Sequence, residues 1–152
     1  MNSLLTPTTL LLVDDDASMI RLLEKLIESS CGNELQMETL TDPAAARERI
    51  DRGGVDILVS DLDMPGISGL DLLRRAKQRN ACTQVLFLTG QSTQQAIIEA
   101  LELGAIDYLL KPVPHEDLLE LIRQAQGRQR RWQQALAATW QQRRAVAIAN
   151  CG

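Results

Sequence analysis

The run Leu10-Leu11-Leu12-Val13 is short, continuous and apolar, the pattern of a strand buried on both faces, and it leads straight into Asp14-Asp15-Asp16. Behind it Ile20, Leu23 and Ile27, flanked by Leu22 and Leu26, repeat with a 3.6-residue period up to Gly32, which predicts a helix stopped by that glycine. Residues 34–40 read as a second strand. Asp42-Pro43 then opens a helix with a capping acid and a proline at the first position, and Gly53-Gly54 ends it. Ile57-Leu58-Val59 is a third strand, followed by Asp61-Leu62-Asp63-Met64-Pro65-Gly66 and a helix near 69–80. The alternation continues with a strand at 85–88, a helix at 93–103 ended by Gly104, a strand at 106–110, and a helix at 115–126.

Five strands alternating with five helices imply a three-layer α/β domain, a parallel sheet covered on both faces by right-handed crossovers. In such sheets a ligand sits beyond the carboxyl ends of the strands, where strand order reverses. The residues at those positions are Asp14, Asp15 and Asp16 after the first strand, Asp61 and Asp63 after the third, Thr89 after the fourth and Lys111 after the fifth. Carboxylates gathered this closely repel one another unless a cation or a proton compensates. A hard divalent ion with oxygen ligands, Mg²⁺ above all, answers that need, and an ion held by few protein ligands keeps positions open for a phosphoryl group.

Taken singly, each of these residues has a plainer reading. An Asp pair is commonly a turn or helix cap, Thr89 an ordinary strand residue, Lys111 a solvated charge and Tyr108 half-buried packing. Their weight comes from convergence on one edge. Asp16 is the exception, read as the cap of a helix beginning at Ala17.

Four segments in this order resemble the receiver domain of two-component response regulators: Leu-Val-Asp14-Asp15-Asp16, then Ser60 to Gly69 with Asp61, then Leu88-Thr89-Gly90, then Tyr108-Leu109-Leu110-Lys111-Pro112. The resemblance runs over residues 9–126, with 127–152 a C-terminal helical extension or linker. It implies a flavodoxin-like, doubly wound five-stranded sheet of order 2-1-3-4-5. It further implies Asp61 as phosphoacceptor and Mg²⁺ held by Asp15 directly, Asp14 through water, Asp61, and the backbone carbonyl of Asp63. Lys111 would pair with the phosphoryl group, Thr89 would bond to it, and Tyr108 would move with Thr89 as the switch. The implied partners are a sensor histidine kinase or histidine phosphotransfer protein and a downstream protein target. The chain would then be no turnover enzyme, catalysing only its own phosphorylation and dephosphorylation. Two other classes compete. Asp61-Leu62-Asp63 also resembles the nucleophile motif of haloacid-dehalogenase-type phosphatases, although there the Asp-x-Asp strand precedes the acid pair. A receiver-like binding module that works without phosphorylation is the other.

Composition adds organisation. The chain of 152 residues has a net charge of −4, but residues 121–152 carry six arginines and no acid, leaving −10 for residues 1–120. An acidic body therefore bears a basic tail, in which Ala125, Trp132, Leu136 and Trp140 keep a helical spacing, so that the last helix either continues past Gly127 or restarts there. The two tryptophans are expected to be covered by a second copy, as a homodimer through the extension, or to fold back on the acidic body. Six arginines and two tryptophans form no recognisable nucleic-acid module. Cys31, Cys82 and Cys151 have no paired spacing and read as reduced, and the lone His115 reads as a surface or capping residue. Met1 to Pro7 lack the basic residue of a signal peptide and no apolar run could span a membrane, so the expected location is the cytoplasm.

Overall fold

The computed structural model describes residues 7–151, so the reading of Met1 to Thr6 as no signal peptide lies outside the described residues. Eleven elements follow in order: β1 Thr8–Val13, α1 Ala17–Cys31, a 3-10 turn Gly32–Glu34, β2 Leu35–Leu40, α2 Pro43–Asp51, β3 Ile57–Ser60, α3 Gly69–Arg79, β4 Gln84–Thr89, α4 Gln94–Glu102, β5 Asp107–Leu110 and α5 His115–Asn150. All strand pairs are parallel, in the order β2-β1-β3-β4-β5. The chain leaves β1 toward β2 on one side and returns to β3 on the other, so the order reverses between β1 and β3.

The sheet's two faces bury alternate residues, as the period of a strand requires. Leu11, Val13, Leu58, Val85 and Phe87 pack against Ala46 and Ile50 of α2, Leu72 and Leu73 of α3 and Ala100 of α4. Leu10, Leu12, Ile57, Val59, Leu86 and Leu88 pack against Ile20, Leu23 and Ile27 of α1 and Leu118 and Ile122 of α5. Each fully buried leucine or isoleucine stabilises the fold by roughly 1.5–3 kcal/mol relative to its exposed state.

Helix starts follow local side-chain chemistry. Asp16 accepts from the Ser18 and Met19 N–H groups, and Asp42 caps α2 ahead of Pro43. Ser68 and Asp71 form a reciprocal capping box on α3, and Thr93 caps α4. Several expected limits shift by a residue or two. Glu34 lies in the 3-10 turn rather than in the second strand, Thr93 is a cap rather than helix, and Ile106 precedes β5.

The larger difference is α5. It passes through Gly127 without restarting and runs for 36 residues. A polar clasp at the amino edge of the sheet holds it there. Gln126 and Gln129 are buried, and the Gln129 amide donates to Asp56 Oδ1 at 2.8 Å while the Thr9 N–H donates to Asp56 Oδ2 at 2.9 Å. Burial raises the Asp56 carboxyl above its ordinary pKa, against the Thr9 N–H that lowers it. Beyond the clasp residues 131–151 are exposed, with Trp132 at 55% and Trp140 at 69%, so the expected fold-back onto the acidic body does not occur. The helix runs straight on from the sheet edge and carries the tryptophans away from the body.

Candidate functional site

The two strands at the reversal point deliver the acids. Asp14 follows β1 and its N–H donates to the Leu40 carbonyl, while the Asp61 N–H donates to the Val13 carbonyl, so both acids leave the sheet in ladder register. Asp14 is 2% exposed and Asp61 8%, whereas Asp15 points outward. Asp14, Asp15 and Asp61 each present a carboxylate oxygen, and these atoms lie within 4.8 Å of one another.

Lys111 comes in from β5, where its N–H donates to the Thr89 carbonyl. Its ammonium donates to Asp14 Oδ2 at 2.6 Å and to Asp61 Oδ2 at 3.2 Å. Sequence reasoning paired this lysine with whatever group occupies Asp61; the shorter bond goes to Asp14. Burial pushes the Asp14 carboxyl above the ordinary carboxylate value, although the Lys111 ammonium and the Asp16 N–H both pull it down. For Lys111 burial is the largest single influence and lowers its pKa. Asp14 and Asp61 together more than offset it, leaving the ammonium above its ordinary value. One cation thus faces three carboxylates, and the surplus negative charge with hard oxygen donors fits a divalent ion such as Mg²⁺.

The loop after β3 is shaped around Asp61. The Asp63 N–H donates to Asp61 Oδ1 at 3.3 Å and the Ser60 hydroxyl donates to the Asp61 carbonyl at 2.7 Å. Gly69 packs so near that a Cβ there would collide with the Asp61 carbonyl oxygen and the Phe87 ring. Only glycine lets α3 begin against this loop. Gly66, at φ 82°, supplies the left-handed turn that brings the chain round to it.

Thr89, buried at the end of β4, donates its hydroxyl to the Gln91 carbonyl at 2.9 Å. Tyr108 on the edge strand β5 packs its ring against Phe87, with centroids 6.4 Å apart and planes at 57°. Its buried hydroxyl has no hydrogen-bond partner among the described residues. Asp14, Asp15, Asp61 and Lys111 are therefore brought together, Asp63 and Thr89 flank them, and Tyr108 lies in the adjoining strand. Asp16 is occupied by its capping bonds. A feature missed in the sequence is a cleft of about 820 Å³ beside Asp63, walled by Leu62, Ser68, Leu70, Gln91 and Leu110. Two loops and the end of β5 create it, and no single motif marks it.

An open parallel sheet with clustered acids and one lysine at its reversal point is the arrangement that the resemblance to receiver domains implies. Residues 10–123 match the response regulator receiver domain, and the chain belongs to that family. It is 35% identical over 113 residues to the DNA-binding transcriptional regulator NtrC of Escherichia coli (strain K12), covering 74% of this chain and 24% of that protein. It is 37% identical over 119 residues to the transcriptional regulatory protein FixJ of Azorhizobium caulinodans, covering 76% of this chain and 54% of that one. The crystal structure of a response regulator receiver domain protein from Clostridium thermocellum superposes with a TM-score of 0.74 at 28% identity, over 81% of this chain and 97% of that one. The chain spans between about a quarter and about half the length of these curated relatives. It is the receiver domain of a two-component response regulator, and neither the phosphatase reading nor the phosphorylation-independent module is favoured. Among the described residues no helix is long and apolar enough to cross a membrane.

Proposed function

We propose that Asp61 accepts a phosphoryl group from a phosphohistidine on a sensor kinase or histidine phosphotransfer protein. The observation that carries this reading is the junction of Asp61, Asp14, Asp15 and Lys111 at the reversal point of the sheet. Asp61 Oδ2, now hydrogen-bonded to Lys111, is the nucleophile, and the Lys111 ammonium is positioned to stay with the transferred group and offset its charge. Asp14 orients that ammonium from the other side. Asp15, Asp14, Asp61 and the Asp63 carbonyl would hold Mg²⁺, which when bound screens the acids and the phosphoryl oxygens from one another.

After transfer the Thr89 hydroxyl exchanges its bond to the Gln91 carbonyl for one to the phosphoryl group. The Tyr108 hydroxyl, held by no partner among the described residues, is free to follow. The surface built from α4, β5 and α5 then presents a second conformation to a downstream protein. The chain acts as a cytoplasmic phosphoacceptor that also loses its phosphoryl group to water, with residues 9–126 as the receiver and 127–152 as its extension. Incubation with a small phosphodonor and Mg²⁺ tests the proposal. Wild type is expected to form an acid-stable, base-labile acyl phosphate, and equal labelling of Asp61→Asn would refute the assignment.

A further inference from the structure

We propose that residues 131–150 of α5 form a self-association rod, occupied by the same segment of a second copy running in the opposite direction. The rod is 20 residues of helix, about 30 Å long. A helix of that length is marginal in water unless something packs on it. Trp132, Leu136 and Trp140 are 55%, 53% and 69% exposed. They prolong a stripe that is already an interface. Leu118, Ile122, Ala125 and Gln129 are buried against the domain, and 118-122-125-129-132-136-140 advances by threes and fours along one helix face. The domain covers the stripe as far as Gln129, and past the amino edge of the sheet the same stripe continues bare.

That continuity decides the orientation. The bare stripe lies on the same side of α5 as the domain, so whatever covers it sits directly below the sheet edge. A parallel partner would bring its own domain into the space this domain occupies, because both would lie toward the shared axis. An antiparallel partner puts the two domains at opposite ends. Charge favours the same solution. Residues 128–152 hold five arginines and no acid, whereas residues 1–120 carry −10. Antiparallel pairing brings each basic rod up to the acidic domain of the other copy, while parallel pairing would set Arg143 level with Arg143. A register that places Leu136 beside Ala147 of the second copy also places Trp140 beside its Arg143, a cation over an indole ring.

Light scattering on the full chain is expected to give twice the 16.8 kDa chain mass. Leu136→Glu and Trp140→Glu should each raise the dimer dissociation constant by roughly thirtyfold, the loss of one buried anchor. Thermal unfolding of the domain serves as the control for intact folding. Orientation is read with the native cysteines. In a Cys82→Ser background a short bismaleimide should join Cys151 at the rod tip to Cys31 of the other chain, at the end of α1. A chain that stays monomeric with its domain folded overturns the proposal, as does a dimer indifferent to both substitutions. So does a cross-link that joins Cys151 to Cys151.

Discussion

The two edges of the sheet hold buried polar groups in opposite ways. At the amino edge Asp56 receives two hydrogen bonds, from Thr9 and Gln129, and Thr83 donates to the Val55 carbonyl. Each buried group there has a partner, and the result is a clasp. At the carboxyl edge Asp14 and Asp61 share one ammonium, Asp15 stands beside them unpaired to it, and on the adjoining strand the Tyr108 hydroxyl has no partner among the described residues. Groups left in excess of their partners cost stability and are available to a ligand. The difference teaches which edge the fold uses for cohesion and which for chemistry.

Breaking the carboxyl edge should remove chemistry and spare the fold. Asp61→Asn is expected to reduce acyl-phosphate labelling to background while unfolding at the same temperature as wild type or higher in metal-free buffer, because one of three crowded carboxylates loses its charge. A large fall in its melting temperature would show that the acids are structural. Asp15→Asn, exposed and unpaired to Lys111, should weaken Mg²⁺ binding at least about tenfold in a titration, with Asp16→Ala little changed.

The converse substitution should do the reverse. Asp56→Ala leaves the Gln129 amide and the Thr9 N–H without their acceptor and should lower unfolding free energy by about 1–3 kcal/mol in denaturant titration, with labelling kept. Thr89→Ala should still accept phosphate yet fail to bind its downstream partner more tightly afterwards, with a stability change near 1 kcal/mol for one lost hydrogen bond. The smallest effect belongs to an ion pair away from both edges. The Arg49 guanidinium holds the Glu38 carboxyl below its ordinary pKa. A depressed carboxylate stabilises the fold above its unfolded value and loses that contribution as pH falls through the folded one. Glu38→Gln should therefore flatten the acid limb of the stability curve by less than about 1 kcal/mol, the pair being partly solvated.

Local chemistry made much of this protein legible from its residues alone. An apolar run of strand length must be buried, a 3.6-residue period must face a core, and Asp16 and Asp42 cap because their side chains reach N–H groups two residues on. The acids after the strands could be picked out because a parallel sheet sends all its carboxyl ends to one side. Tertiary structure decided what local pattern does not encode. Lys111 is 97 residues from Asp14 and 50 from Asp61, and only strand order and register put its ammonium closer to the first. Gln129 reaches Asp56 across 73 residues, and nothing among its neighbours along the chain marks that contact. Gly127, which left open whether α5 continues or restarts, lies between two buried glutamines that hold the helix to the sheet edge on either side of it. Helix and strand preferences arise from neighbours along the chain, whereas pairings like these arise from which elements the hydrophobic core brings side by side.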